Sequence, residues 1–261
     1  MALDLDHLGL HPCNATCETG TSGWSDGGMP DAYDSTDLVA GDEAPDLPGS
    51  VGPPTLQDLP AGYSYGVTRY ADVILRESFP THFNDLHEAL ATLSIPFADV
   101  AAGGGNRSPI AVRFDESLHD RGWGKRTIEI TKLIDSLPVM KVRGHEIDMF
   151  KAGSASRRYP GIGVEMEWNN KDPFFDRDLS NFAALHREGV LALGVIVTRG
   201  TALQTWLRFY VDGGKSKYGA STTWWDKLVP RVNLGGGGEC PLLLIGIETG
   251  RMQGQTASAA P

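Results

Sequence analysis

Three acidic residues at short, regular spacings are the first candidates for chemistry. In GIGVEMEW (161–168), Glu165 and Glu167 lie two apart, with Ile162, Val164, Met166 and Trp168 in the alternate positions. On a β-strand that spacing puts both carboxylates on one face, where each is costly without a partner. Asp148 lies in the preceding strand-like segment, HEIDMFK, with sixteen residues between it and Glu165. A strand, a loop and a return strand would bring the three together. A hard divalent cation such as Mg2+ accounts for such a set, because it takes carboxylates, a backbone carbonyl and waters and relieves their mutual repulsion. With a basic loop between the two segments, the arrangement suits metal-assisted phosphodiester hydrolysis. Acid-x-acid pairs on strands are common and usually solvated or salt-bridged, so spacing leaves that plainer reading open.

The elements that must position these residues can be read from hydrophobic periodicity. RTIEITKLI (126–134), VMKVRGHEIDMFK (139–151) and GIGVEMEW read as strands, followed by the continuous apolar runs VLALGVIV and PLLLIGI. Continuous apolar strands imply cover on both faces. Between them lie amphipathic segments: FFDRDLSNFAALHREG, with Asp176 or Asp178 near its start and Gly189 at its end; ALQTWLRFYVDG; and TWWDKLVPRV. Upstream, Ala71, Ile74 and Leu75, then Phe83, Leu86 and Leu90, mark two helices separated by Pro80. Ser108 and Pro109 read as the N-cap and first residue of a helix ending near Gly122, after a GGGN turn. The expectation is an α/β fold, a central mixed β-sheet flanked by helices.

Composition sets the outer limits. The formal charge is −10, yet eleven of the 33 acids lie in residues 1–60, which hold no Lys or Arg. That leaves 22 acids against 23 basic residues in 61–261, so the body is near neutral and can carry a local basic surface. Residues 1–60 are rich in Gly, Pro, Ser, Thr and Asp and poor in periodic hydrophobics, which predicts an acidic disordered tail. The main domain is expected over 61–250, with a flexible tail at 251–261. Cys13 and Cys17, near His7 and His11, fall in the acidic tail, and Cys240 reads as a small buried hydrophobe. No apolar run is long enough to span a bilayer, and the acidic N-terminus is unlike a signal peptide, which together read as cytoplasmic.

HEIDMFK, GIGVEMEWNNKDPFFDRDLSNFAALH, GVIVTRG and KYGASTTWWDKLVPR together resemble the type II restriction endonucleases of the BglII group, within the PD-(D/E)xK nuclease superfamily. The resemblance runs over roughly residues 62–250, and the EWNNKD…FDRDL…NF block and YGAST are its most specific parts. It implies a restriction-endonuclease-like core and a homodimeric, Mg2+-dependent enzyme that cuts both strands of a short palindromic DNA site, leaves 5′-phosphates and works beside a DNA methyltransferase. Carried over by motif, Asp148 and Glu165 become metal ligands, helped by the backbone carbonyl of Met166. The superfamily places lysine two residues after the second acid, and here that position is Glu167. A glutamate there can act as general base, and the same D…ExE spacing occurs in BamHI, whose fold is related.

Further candidates surround this set. Glu129 in TIEI is a possible additional ligand, with a salt bridge as its plainer explanation, and Glu146 has similar standing. Asn169, Asn170 and Lys171, just past the carboxylates, could contact phosphates or simply form a strand exit. The loops SASRRYPG and GGKSKYGASTT offer Arg157, Arg158, Lys215, Lys217, Tyr218, Ser221, Thr222 and Thr223 as DNA contacts. Trp206, Phe209, Tyr210, Trp224 and Trp225 read as packing residues, and His186 as a capping or surface group. Two other readings compete: a structure-specific repair or resolvase-like nuclease, and a DNA-binding relative that no longer cuts.

Overall fold

The computed structural model describes residues 49–102, 107–211 and 217–254. Cys13, Cys17, the GGGN turn at 103–106, Lys215 and the C-terminal stretch from 255 lie outside the described residues.

The domain is built on a six-stranded mixed sheet in the order β1-β7-β6-β5-β4-β3. The strands are β1 (Tyr63–Val67), β3 (Gly124–Ile134), β4 (Leu137–Lys151), β5 (Gly161–Glu167), β6 (Leu191–Arg199) and β7 (Leu242–Ile247). Strands β5, β6 and β7 run parallel at the centre, while β1, β3 and β4 add antiparallel neighbours. Every residue of β7 is buried, as its continuous apolar run required, and so is every residue of β5, its two glutamates included. A small second sheet pairs β2 (Ile95–Pro96) with β8 (Met252–Gln253).

Helices cover both faces. On one side, α1 (Ala71–Ser78), α2 (Pro80–Thr92), α3 (Phe97–Ala101), α4 (Pro109–His119) and α6 (Thr201–Tyr210) enclose a core that contains Ile162, Val164, Met166 and Trp168. On the other, α5 (Pro173–Arg187) and α7 (Trp225–Asn233) pack Phe175, Leu179, Phe182 and Leu228 against Leu191, Ile196 and Leu244. The even positions of β5 therefore face one helical layer, and Glu165 and Glu167 face the layer formed by α5.

Local chemistry explains the element ends. Ser108 caps α4 by accepting from the Ile110 N–H at 3.3 Å, and Pro109 opens the helix without wasting a donor. Helix α5 stops at Gly189, whose φ of +71° suits glycine, and the Val190 N–H returns to the Leu185 carbonyl. Close packing of α5 on the sheet needs Gly194, since a Cβ there would stand 2.2 Å from the Phe182 ring.

The stretch read as an acidic tail divides in two. Residues 1–48 lie outside the described residues, whereas 49–60 pack against the domain. Gly52 and Val67 exchange backbone hydrogen bonds, and the Thr55 and Leu56 N–H groups donate to the Asp72 carboxylate. A strand not expected from the sequence, β1, pairs with β7 and closes that edge of the sheet.

Candidate active site

Glu165 and Glu167 stand on the last three residues of β5, and each is only 2% exposed. Strand β4 brings Asp148 alongside: its backbone N–H reaches Glu165 Oε1 at 3.4 Å. Asp148 lies three residues before the end of β4, which closes at Lys151 as the sequence pattern suggested. Its carboxylate is partly exposed and faces two cations, Lys125 Nζ at 3.6 Å and an Arg107 nitrogen at 4.0 Å. Lys125 also pairs with Glu146 at 2.8 Å, and Arg107 with buried Asp115.

A fourth carboxylate, which sequence reasoning had placed only near a helix start, completes the group. Asp178 lies one and a half turns into α5, 2% exposed, and abuts Glu167. One of its oxygens accepts from Arg177, and its carboxyl also hydrogen-bonds that of Glu167. No spacing rule linked Asp178 to Glu167, because helix packing brings them together.

Burial dominates the electrostatics. It pushes the Glu165 carboxyl up from 4.5 to about 10, and the charges of Asp178, Asp148 and Glu167 add to the effect. Glu167 is raised as well, first by burial and then by Asp178, against the opposing pull of Asn170 and Arg177. Asp178 is raised by burial. Asn170 Nδ2 donates to Glu167 Oε2 at 2.7 Å, while an Arg177 nitrogen lies 3.7 Å from Glu167 Oε1. The Glu167 backbone carbonyl accepts from the hydroxyls of Thr198, at 2.8 Å, and Thr223, at 3.1 Å, which fixes the strand end.

Such a group is short of positive charge. Three buried carboxyls, each with its pKa raised by burial, face one partly exposed guanidinium, so a divalent cation bound with carboxylate ligands fits the donor set. Of the ligands the sequence suggested, Asp148 and Glu165 are brought together across β4 and β5, and Met166 lies between the two glutamates on β5. Among the described residues no three such side chains stand in a ready cation cage, since Asp148 is turned to Lys125 and Arg107.

The remaining candidates separate. Glu129 is not brought to the group: it pairs across the hairpin with Arg143, five positions along β4 from Asp148, and ion-pairs with Lys141 at 2.8 Å. Arg157 and Arg158 precede β5, whereas the glutamates end it, so these arginines lie at the opposite end of the strand. Asn169, Asn170 and exposed Lys171 stay beside the glutamates. A cavity of about 570 Å3 opens there, bordered by Asp148, Arg107, Met166, Asn169, Asn170 and Lys217.

The loop 217–223 changes role. Tyr218, Thr222 and Thr223, expected as DNA contacts, are buried and serve the framework instead. Tyr218 donates to the Val100 carbonyl at 3.0 Å, and the Thr222 hydroxyl and Thr223 carbonyl accept from buried Arg199 at 2.7 and 2.6 Å. Lys217 reaches the carbonyls of Val100 and Ala102, while Ser221 stays exposed.

The model of the family described as restriction endonuclease BglII/BglIII matches residues 63–247, a span that takes in the whole sheet and all four carboxylates. The chain belongs to this family. It is a type II restriction endonuclease, a site-specific deoxyribonuclease whose substrate is DNA, and enzymes of this kind generally use a divalent metal. Among curated proteins none matches the chain. Among the described residues no helix is long and apolar enough to cross a membrane.

Proposed function

We propose that this endonuclease is an Mg2+-dependent, cytoplasmic homodimer that cuts both strands of a short palindromic duplex site, leaves 5′-phosphates and acts with a companion methyltransferase in a restriction-modification system. The observation that carries the reading is the charge-deficient carboxylate group formed by Asp148, Glu165, Glu167 and Asp178 where β5 ends. Asp148, Glu165 and the Met166 carbonyl are its metal ligands. Bound there, Mg2+ supplies Lewis-acid stabilisation of the phosphate and of the leaving oxygen.

The chain's own residues do the rest. Glu167 accepts the proton of the attacking water, and its raised pKa suits a general base working near neutral pH. The Asn170 amide fixes Glu167 Oε2, leaving Oε1 to face the reacting water. Asn169, Asn170 and Lys171, at the mouth of the site, together with Lys217 and Ser221 on the adjoining loop, contact the DNA. Arg157 and Arg158 reach phosphates only well away from the cut. A dimer follows from the symmetry of a palindrome, since one protomer supplies one group per strand.

Digestion of unmethylated plasmid and phage DNA with Mg2+, followed by mapping of fragment ends, tests the reading. Discrete 5′-phosphorylated ends sharing one palindrome support it. Preference for branched DNA would replace it with a repair activity, and sequence-selective retention without cutting would replace it with a binding function.

A further inference from the structure

Within 4 Å of Glu167, the cation found among the described residues is Arg177, at 3.7 Å from Oε1. Lys125 and Arg107 face Asp148 instead and are tied to Glu146 and Asp115. Arg177 is held unusually firmly for a side chain with 39% exposure. Its Nε and a terminal nitrogen both bond Asp178 Oδ1, at 2.8 and 2.6 Å, and its guanidinium lies 4.4 Å over the Phe174 ring. The anchor, Asp178, is a buried carboxylate that bonds both Arg177 and Glu167, so it ties the guanidinium to the glutamate, a costly burial for a surface arginine that needed only water. Pinning a long cationic side chain before substrate arrives removes an entropy cost from the bound state.

We propose that Arg177 is a catalytic cation of this centre, gripping a non-bridging oxygen of the scissile phosphate, and that Asp178 is the positioning residue that aims it. The inference rests on the endonuclease reading. The guanidinium sits at the rim of the carboxylate group, its Nε and Nη2 edge held by Asp178 with Nη2 also beside Glu167, and its remaining exposure leaves it open to a polyanion. It places fixed positive charge beside the anion that must accumulate negative charge during displacement. Without DNA the same charge faces the metal ligands and repels a divalent cation, so the phosphate that screens Arg177 also favours metal binding.

The test uses the full chain as wild type, Arg177→Ala and Arg177→Lys. Electron paramagnetic resonance counts Mn2+ bound without DNA, single-turnover assays with Mg2+ follow cutting, and Ca2+ supports measurement of DNA affinity. Arg177→Ala is expected to bind Mn2+ on the order of tenfold more tightly, to cut about 100-fold more slowly, and to recover part of its rate with added guanidinium ion. Arg177→Lys is expected to bind Mn2+ as wild type does and to cut at an intermediate rate. A merely structural arginine would not tighten Mn2+ binding when removed. Unchanged or weaker Mn2+ binding by Arg177→Ala, or cutting at the wild-type rate, overturns the proposal. If the wild-type chain itself cuts no DNA, the endonuclease reading fails instead, so the two failures are distinct.

Discussion

Replacing Glu165 by glutamine should make the metal-free protein more stable at alkaline pH, although it removes a residue assigned to the reaction. The folded carboxyl is pushed to about 10 from an ordinary 4.5, by burial first and by Asp178, Asp148 and Glu167 next. The raised value means that stability is fully present below about pH 4.5 and is lost as pH rises toward 10. At pH 8 the folded protein must hold a proton across roughly 3.5 pH units at about 1.4 kcal/mol each, an upper bound near 5 kcal/mol. Water penetration and side-chain relaxation reduce this to about 2–3 kcal/mol. Glu165→Gln removes that cost while its amide oxygen can still accept from the Asp148 N–H. Urea unfolding with EDTA at pH 5 and pH 8 measures the effect. The variant should exceed wild type by about 2–3 kcal/mol at pH 8, some 5–10 °C in Tm, and by little at pH 5. Equal pH dependence in both proteins, or lower stability of Glu165→Gln at pH 8, would refute the reasoning.

Asn170→Ala removes the amide that holds Glu167 Oε2 and should lower single-turnover cutting about 10- to 100-fold, with stability changed by less than about 1 kcal/mol, checked by quench-flow and urea melts. Arg199→Lys should cost about 2–4 kcal/mol in urea unfolding, because one ammonium cannot reproduce the fork reaching Gln204, Thr222 and Thr223 in a buried site. Gly194→Ala should destabilise by about 1–3 kcal/mol, since its Cβ would press on Phe182 and shift α5, and the cutting rate should fall with it. Thr223→Val keeps shape but drops a hydroxyl bond to the Glu167 carbonyl, for about 1 kcal/mol of stability measured by thermal melting.

Strands β6 and β7 were legible because central parallel strands read as continuous apolar runs, VLALGVIV and LLLIGI, and β5 because Ile162, Val164 and Met166 alternate with its glutamates. Strand β1 was not, because YSYGV is an edge segment whose partner lies almost 180 residues away. The pair Glu165 and Glu167 could be read from the two-residue repeat of a strand, and Asp148 from the length of one hairpin. Asp178 and Arg177 could not, since their place beside Glu167 depends on how α5 crosses the sheet. The same physics explains the loops. Arg157 and Arg158 are close to the glutamates in sequence, but β5 carries the chain about 20 Å away from them. Thr222 and Thr223 looked like surface hydroxyls because Arg199, which draws them inward, is a buried charge held by Gln204 and by these threonines, an arrangement no pattern announces.

Cleavage by wild type and Glu165→Gln in the same Mg2+ buffer, beside DNA retention by both in Ca2+, tests the central claim most directly. Wild type should cut, EDTA should stop it, and Glu165→Gln should still fold and bind DNA yet cut at least about 1,000-fold more slowly. Cutting by Glu165→Gln at a rate near wild type would contradict the assignment of this carboxylate group as the centre that breaks the phosphodiester bond.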